Sequence, residues 1–100
     1  MSSYQLTSRA RRDLLGILDY IEADSPDAAA RVESAVLDSL AFLALHPYAG
    51  HIRPQFTGRA VRFWPVHPFS RYLIVYDPAT KPLSVIRIFH GARDLGRYLT

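Results

Sequence analysis

The chain carries two apolar helical stripes cut apart by Ser25-Pro26, and that break limits what it can fold into. Ala10, Leu14, Ile17, Leu18 and Ile21 recur at the three-and-four spacing of one helix face, with Arg12, Gly16 and Asp19 opposite. Thr7 and Ser8 precede this stripe as cap candidates, because a side-chain hydroxyl can accept from the orphan amides of a first turn. The spacing predicts a helix from there to Ala23. Ser25 is a second cap candidate, and Pro26 suits a first helical position, where a missing N–H costs nothing. Ala29, Val32, Val36, Leu40 and Leu43 form the second stripe. His46-Pro47 ends it, since the residue before a proline is driven out of the helical region. So short a connection predicts an antiparallel helical hairpin.

Tyr4 to Leu6 is a short strand candidate ahead of the first helix. Residues 47–60, with two Pro, two Gly and no periodicity, read as a loop. Three strand candidates follow: Val61 to Val66, Arg71 to Tyr76, and Leu83 to His90. Residues 77–82 are turn-forming and make the last two a hairpin. Gly91 breaks the last strand, and Asp94 to Leu99 form a final helical turn or a loose tail. The expected class is α+β: an N-terminal strand and an antiparallel helical hairpin packed on a mainly antiparallel sheet, whose other face is partly open. Alternation along the strands can place Arg62, Arg71 and Arg87 on that open face.

With 100 residues, 49% of them hydrophobic, and no linker or repeat, one domain spanning residues 1–100 is expected. There is no cysteine, so disulfides and thiolate zinc sites are excluded. The apolar runs Leu40 to Leu45 and Tyr72 to Tyr76 are far below the ~20 residues of a spanning helix. No apolar stretch precedes the first charges, so the opening does not read as a secretory signal, and a cytoplasmic location is expected.

Charge divides unevenly. Residues 1–50 hold four Arg against seven Asp and Glu, and residues 51–100 hold seven Arg and one Lys against two Asp, a balance of −3 and then +6. Arg dominates, and its planar fork suits phosphate and carboxylate. The basic half is either a solvated face or a surface for an anionic partner. A second surplus is apolar. Leu37, Ala41, Phe42 and Leu45 fall off the core stripe of the second helix, and either the following loop or a partner must cover them. Trp64 is either a packed core residue or an edge anchor for an interface.

Motifs for chemistry are few. His46 and His51 lack the carboxylates that would complete a metal site, and no metal or cofactor is expected. No phosphate-cradling Gly loop and no nucleophile elbow is present. The segment Arg87-Ile88-Phe89-His90-Gly91-Ala92-Arg93-Asp94 has two readings. In one, Arg87 and Arg93 hold a phosphate while His90 moves a proton near neutral pH. In the other, His90 closes the strand by bonding to the helical hairpin, Arg93 pairs with a carboxylate of the first helix, and Asp94 caps the last turn. Tyr72, Tyr76 and Tyr98 read as core or edge aromatics.

In combination, these pieces resemble the ParE side of the RelE/ParE toxin superfamily, the toxins of type II toxin–antitoxin pairs. The resemblance runs through Ala10, Asp13-Leu14, Ile17 and Tyr20-Ile21, then Ser25-Pro26, Leu43 to Gly50, Arg71 to Tyr76, and the closing Ile86 to Ile88 with His90-Gly91-Ala92-Arg93-Asp94. It implies a non-enzymatic toxin that inhibits DNA gyrase and blocks replication, with Arg62, Arg71, Arg87, His90 and Arg93 facing the target. It also implies a ParD-like antitoxin with an acidic tail in a toxin–antitoxin hetero-oligomer, its landing sites being the apolar surface of Leu37, Phe42, Leu45 and Trp64 and the basic sheet. The RelE-type alternative is a ribosome-dependent mRNA endoribonuclease, with His90 as acid or base and Arg87 and Arg93 on phosphate. That branch relies on a cluster of basic residues, and here Lys81, in a turn, is the only lysine.

Overall fold

A computed structural model describes residues 3–53 and 60–99, the last two of these by backbone alone. The Thr7 side chain accepts from the Ala10 amide at 3.1 Å and starts α1 (Ser8–Glu22). Ser25 accepts from the Ala28 amide at 3.1 Å and, with Pro26 inside the first turn, starts α2 (Pro26–Leu45). Both caps fall where the hydroxyls predicted them. Strand β1 (Tyr4–Leu6) precedes the hairpin, and β2 (Arg62–Pro65), β3 (Tyr72–Asp77), β4 (Leu83–His90) and α3 (Gly91–Leu99) follow it. The C-terminal stretch is therefore a nine-residue helix beginning at Gly91 itself, rather than a loose tail.

The sheet order is β1-β4-β3-β2. Strands β2, β3 and β4 form an antiparallel meander, while β1 lies parallel to β4 at the edge. Parallel neighbours need a long crossover, and here the whole hairpin and meander lie between them. Tyr76 pairs with Val85 while Val75 pairs with Arg87, a bulge that leaves Ile86 as the extra residue.

One sheet face packs Ile74, Tyr76, Val85 and Ile88 against Val36, Leu40 and Leu43 of α2, with Leu14 and Ile17 of α1 at its margin. The opposite face is not an open basic surface. Phe63, Leu73, Val75 and Phe89 are buried there, with Leu95 of α3 and Val61 against them. Alternation explains why: β3 has no polar residue between Leu73 and Tyr76, so it is apolar on both faces, as strands covered on both sides are.

Tyr76 anchors the chain that leaves α2. Its hydroxyl donates to the Pro47 carbonyl at 2.7 Å and accepts from the Gly50 amide at 2.9 Å. Burial pushes the Tyr76 phenol above its ordinary pKa, while the Gly50 amide and the nearby Arg62 charge pull it back. His51 then exchanges both backbone bonds with Phe63 and extends the sheet past β2. A Cβ on Gly50 would stand 2.5 Å from the Tyr76 hydroxyl and 3.0 Å from the Phe63 carbonyl, so no side chain fits. In urea denaturation we expect Tyr76→Phe to lower stability by about 1–3 kcal/mol, because the buried Gly50 amide loses its acceptor. Gly50→Ala should be at least as damaging, and full stability in either variant would refute this account of the anchor.

Candidate functional site

The site begins with an edge problem. The Thr7 amide and hydroxyl donate to the carbonyls of Val85 and Ile86 at 3.0 and 2.9 Å, and then α1 lifts away from β4. The next outward amide on β4, that of Ile88, has no strand beside it. The Asp13 carboxylate of α1 accepts this amide at 3.0 Å and also takes Nε and Nη2 of Arg87, at 2.7 and 3.2 Å. Side-chain exposure of Arg87 and Asp13 is only 20% and 18%. A forked, charge-assisted pair shielded this far is strong and geometrically selective. The carboxylate from the first helix thus goes to Arg87, whereas Arg93 pairs with its own neighbour, Asp94, at 3.3 Å.

At the far end of β4 the chain turns straight into α3. The Gly91 amide donates to the Arg71 carbonyl at 2.7 Å. The His90 ring accepts the Arg93 amide at Nδ1 (3.2 Å), and the Asp94 carboxylate accepts the His90 amide at 3.3 Å. This is a reciprocal cap, with a side chain on each side of the first turn satisfying an amide on the other. His90 therefore closes onto α3, not onto the helical hairpin, and Asp94 serves the first turn, not the last. Burial raises the Asp94 pKa, but the Arg93 hydrogen bond and charge, the His90 amide and the Arg97 charge together hold it below the ordinary value. The tautomer follows from the bonding. With Nδ1 accepting, the His90 proton is assigned to Nε2. The Tyr72 ring meets the His90 ring edge-on, 5.8 Å between centroids.

Between α1, the start of β3 and the β4–α3 corner lies a groove of about 540 Å³. Arg12 and Tyr20 come to it from α1, Arg71 from before β3, and His90 and Arg93 from the corner, over the Asp13–Arg87 pair. Of the five residues expected to face a target, Arg71, Arg87, His90 and Arg93 are thus brought together. Arg62 is not. It pairs with Tyr76 at the opposite end of the strands, bonds the carbonyls of Tyr48 and Gly50, and lies over the Tyr48 ring. Arg12 and Tyr20 are further groove residues that no motif marks. A signal was there: positions 12, 16 and 20 are successive turns of one helix face.

The expected apolar patch is elsewhere. Leu37, Phe42 and Leu45 of α2 are 41%, 41% and 64% exposed, with Tyr48 and Ile52 exposed beyond them. Phe42 stacks on Trp64 at 5.3 Å, and Trp64 packs inward against the helix-side core, so it belongs to both core and surface. His46 and His67 flank this pair on either side. Among the described residues no three of His, Asp and Glu gather as metal ligands, and no helix is long and apolar enough to cross a membrane. The Tyr98 side chain and residues 54–59, part of the stretch that the sequence reads as a loop, lie outside the described residues.

The family described as "ParE toxin of type II toxin-antitoxin system, parDE" matches residues 4–95. The chain belongs to this family of ParE toxins. Among solved structures, a chain of the "Chromosomal ParDE TA system from P. aeruginosa" has a similar fold, superposing with a TM-score of 0.71 at 22% identity and covering 90% of this chain and 96% of that one. No curated protein matches significantly. Both the RelE/ParE-like fold and the toxin class that the resemblance implies are thereby shown. For this ParE toxin, Asp13→Ala should cost about 2–4 kcal/mol in urea denaturation, since it leaves the Ile88 amide unsatisfied and takes the facing carboxylate from the shielded Arg87. Asp13→Asn, which can still accept the amide, should cost distinctly less; equal losses would show that the amide bond is unimportant.

Proposed function

We propose that this ParE toxin inhibits DNA gyrase by binding, without breaking a bond itself, and that a ParD-like antitoxin neutralises it. The observation that carries the absence of chemistry is the His90 ring. Its one lone-pair nitrogen already accepts the Arg93 amide that caps α3, so the ring is not poised as a general base. Arg87 is likewise held against Asp13 and shapes the groove floor. The exposed groove residues Arg71 and Arg93, with His90 between them, are the proposed target face, and Arg62 is a separate contact at the other end of the sheet.

Pulse labelling after induction of the toxin alone tests the target. We expect thymidine incorporation to fall first, with amino-acid incorporation holding, and purified gyrase to lose supercoiling activity in its presence. His90→Gln, which removes the titrating ring but keeps a polar side chain at the target face, should retain most of this inhibition. An early fall in translation, abolished by His90→Gln in a folded protein, would instead establish the RelE-type mRNA endoribonuclease.

The antitoxin is proposed to cover Leu37, Phe42, Leu45 and Trp64, an apolar surface rimmed by rings. Taking a Phe or Leu side chain fully out of water is worth about 2 kcal/mol, roughly thirtyfold in affinity. Phe42→Asp and Leu45→Asp should each weaken toxin–antitoxin binding by at least that factor in calorimetry while leaving the fold intact. Unchanged affinity would move the antitoxin to another face.

A further inference from the structure

The charge in the groove between α1 and α3 is unevenly satisfied. Four arginines line it against two aspartates. Asp13 is turned to Arg87 and Asp94 to Arg93. Arg12 and Arg71 have no ion pair or side-chain hydrogen bond among the described residues. Two unopposed guanidinium forks therefore face one concavity. Beside them Tyr20 is 79% exposed, the most exposed of the large hydrophobic side chains described. Between Arg12 and Tyr20 on the same helix face is Gly16, where a Cβ would meet nothing within 4 Å. The helix surface is thus lowest in the middle of the groove.

We propose that this groove holds a single strand of DNA, with phosphates on Arg12 and Arg71 and a base stacked on Tyr20. An acidic peptide would satisfy the two arginines but give the Tyr20 ring no partner its face prefers. A nucleotide strand uses both, because anionic groups alternate with flat aromatic ones along it. The volume of about 540 Å³ lies within the ordinary range of ligand sites and suits one or two nucleotides rather than a duplex. This deepens the gyrase reading and rests on it: the strand is one exposed where the duplex on which gyrase works is opened, so the toxin grips enzyme and substrate together.

Fluorescence anisotropy with a labelled DNA oligonucleotide of about 12 residues and the purified toxin, without gyrase, tests this directly. We expect binding that weakens with salt, with a log–log slope of about −1.4 for two phosphates on a single strand. Arg12→Gln with Arg71→Gln should weaken binding at least about tenfold and flatten that slope. Tyr20→Ser should weaken it, and Tyr20→Phe should not. Gly16→Phe, which fills the groove without disturbing its charge, should also weaken it. Arg31→Gln, on α2 and outside the groove, should change nothing. Circular dichroism and melting of each variant separate lost binding from lost fold. No binding at low salt, equal loss in Arg31→Gln, or tighter binding of an RNA oligonucleotide or a poly-glutamate peptide would each overturn the proposal. Gyrase inhibition that persists without DNA binding refutes only this step, whereas DNA binding without gyrase inhibition refutes the target.

Discussion

The structure depends on one carboxylate standing in for a strand. After β1 ends, β4 would present an unpaired amide at Ile88 in a partly buried position. Leaving such a group without a partner costs about 1–3 kcal/mol. Asp13 supplies the acceptor from the second turn of α1 and holds Arg87 with the same group. That single residue therefore sets where α1 lies on the sheet, how β4 is finished at its edge, and which way Arg87 turns. The groove follows from those three facts, because its walls are α1 and the β4–α3 corner.

The rest of the fold is arranged so that both sheet faces are closed. The helical hairpin takes one, and α3 with Phe63 and Phe89 takes the other. No strand surface is then left to carry a broad basic field, and the cations gather at margins. Arg62 goes to the 47–51 loop held by Tyr76, while Arg71 and Arg93 go to the groove. The apolar α2 patch and the groove share no residue. A partner on one does not compete for the same side chains as a partner on the other.

Much of this was legible in the chain. Thr7 and Ser25-Pro26 mark their helices because capping is local chemistry, decided within four residues. The strands of the meander are legible for the same reason, from short apolar runs between turn residues. What could not be read was partnership across the sheet. By type and neighbours Arg87 suits a phosphate, and its union with Asp13 spans 74 positions that no periodicity connects. The second face reads as open because the sequence leaves the C-terminal stretch as one helical turn or a tail: Gly91 looks like a stop, and the His90–Asp94 cap that starts α3 needs both side chains in place. Among the site residues, Arg71, His90 and Arg93 were identified by type and neighbourhood. Arg12 reads as the side of a helix opposite its apolar stripe, and Tyr20 carries no site signal of its own, until α3 arrives opposite.

The 74-residue span of the Asp13–Arg87 pair also has a consequence in time. A ribosome makes α1 early and the β4–α3 corner late, and a contact of such long sequence separation cannot close until both ends exist. An emerging chain thus displays Arg12 and Tyr20 on an isolated helix, with no opposing wall and no concavity. The basic groove is a property of the folded molecule alone, so nascent or C-terminally degraded chains carry the charge without the shape.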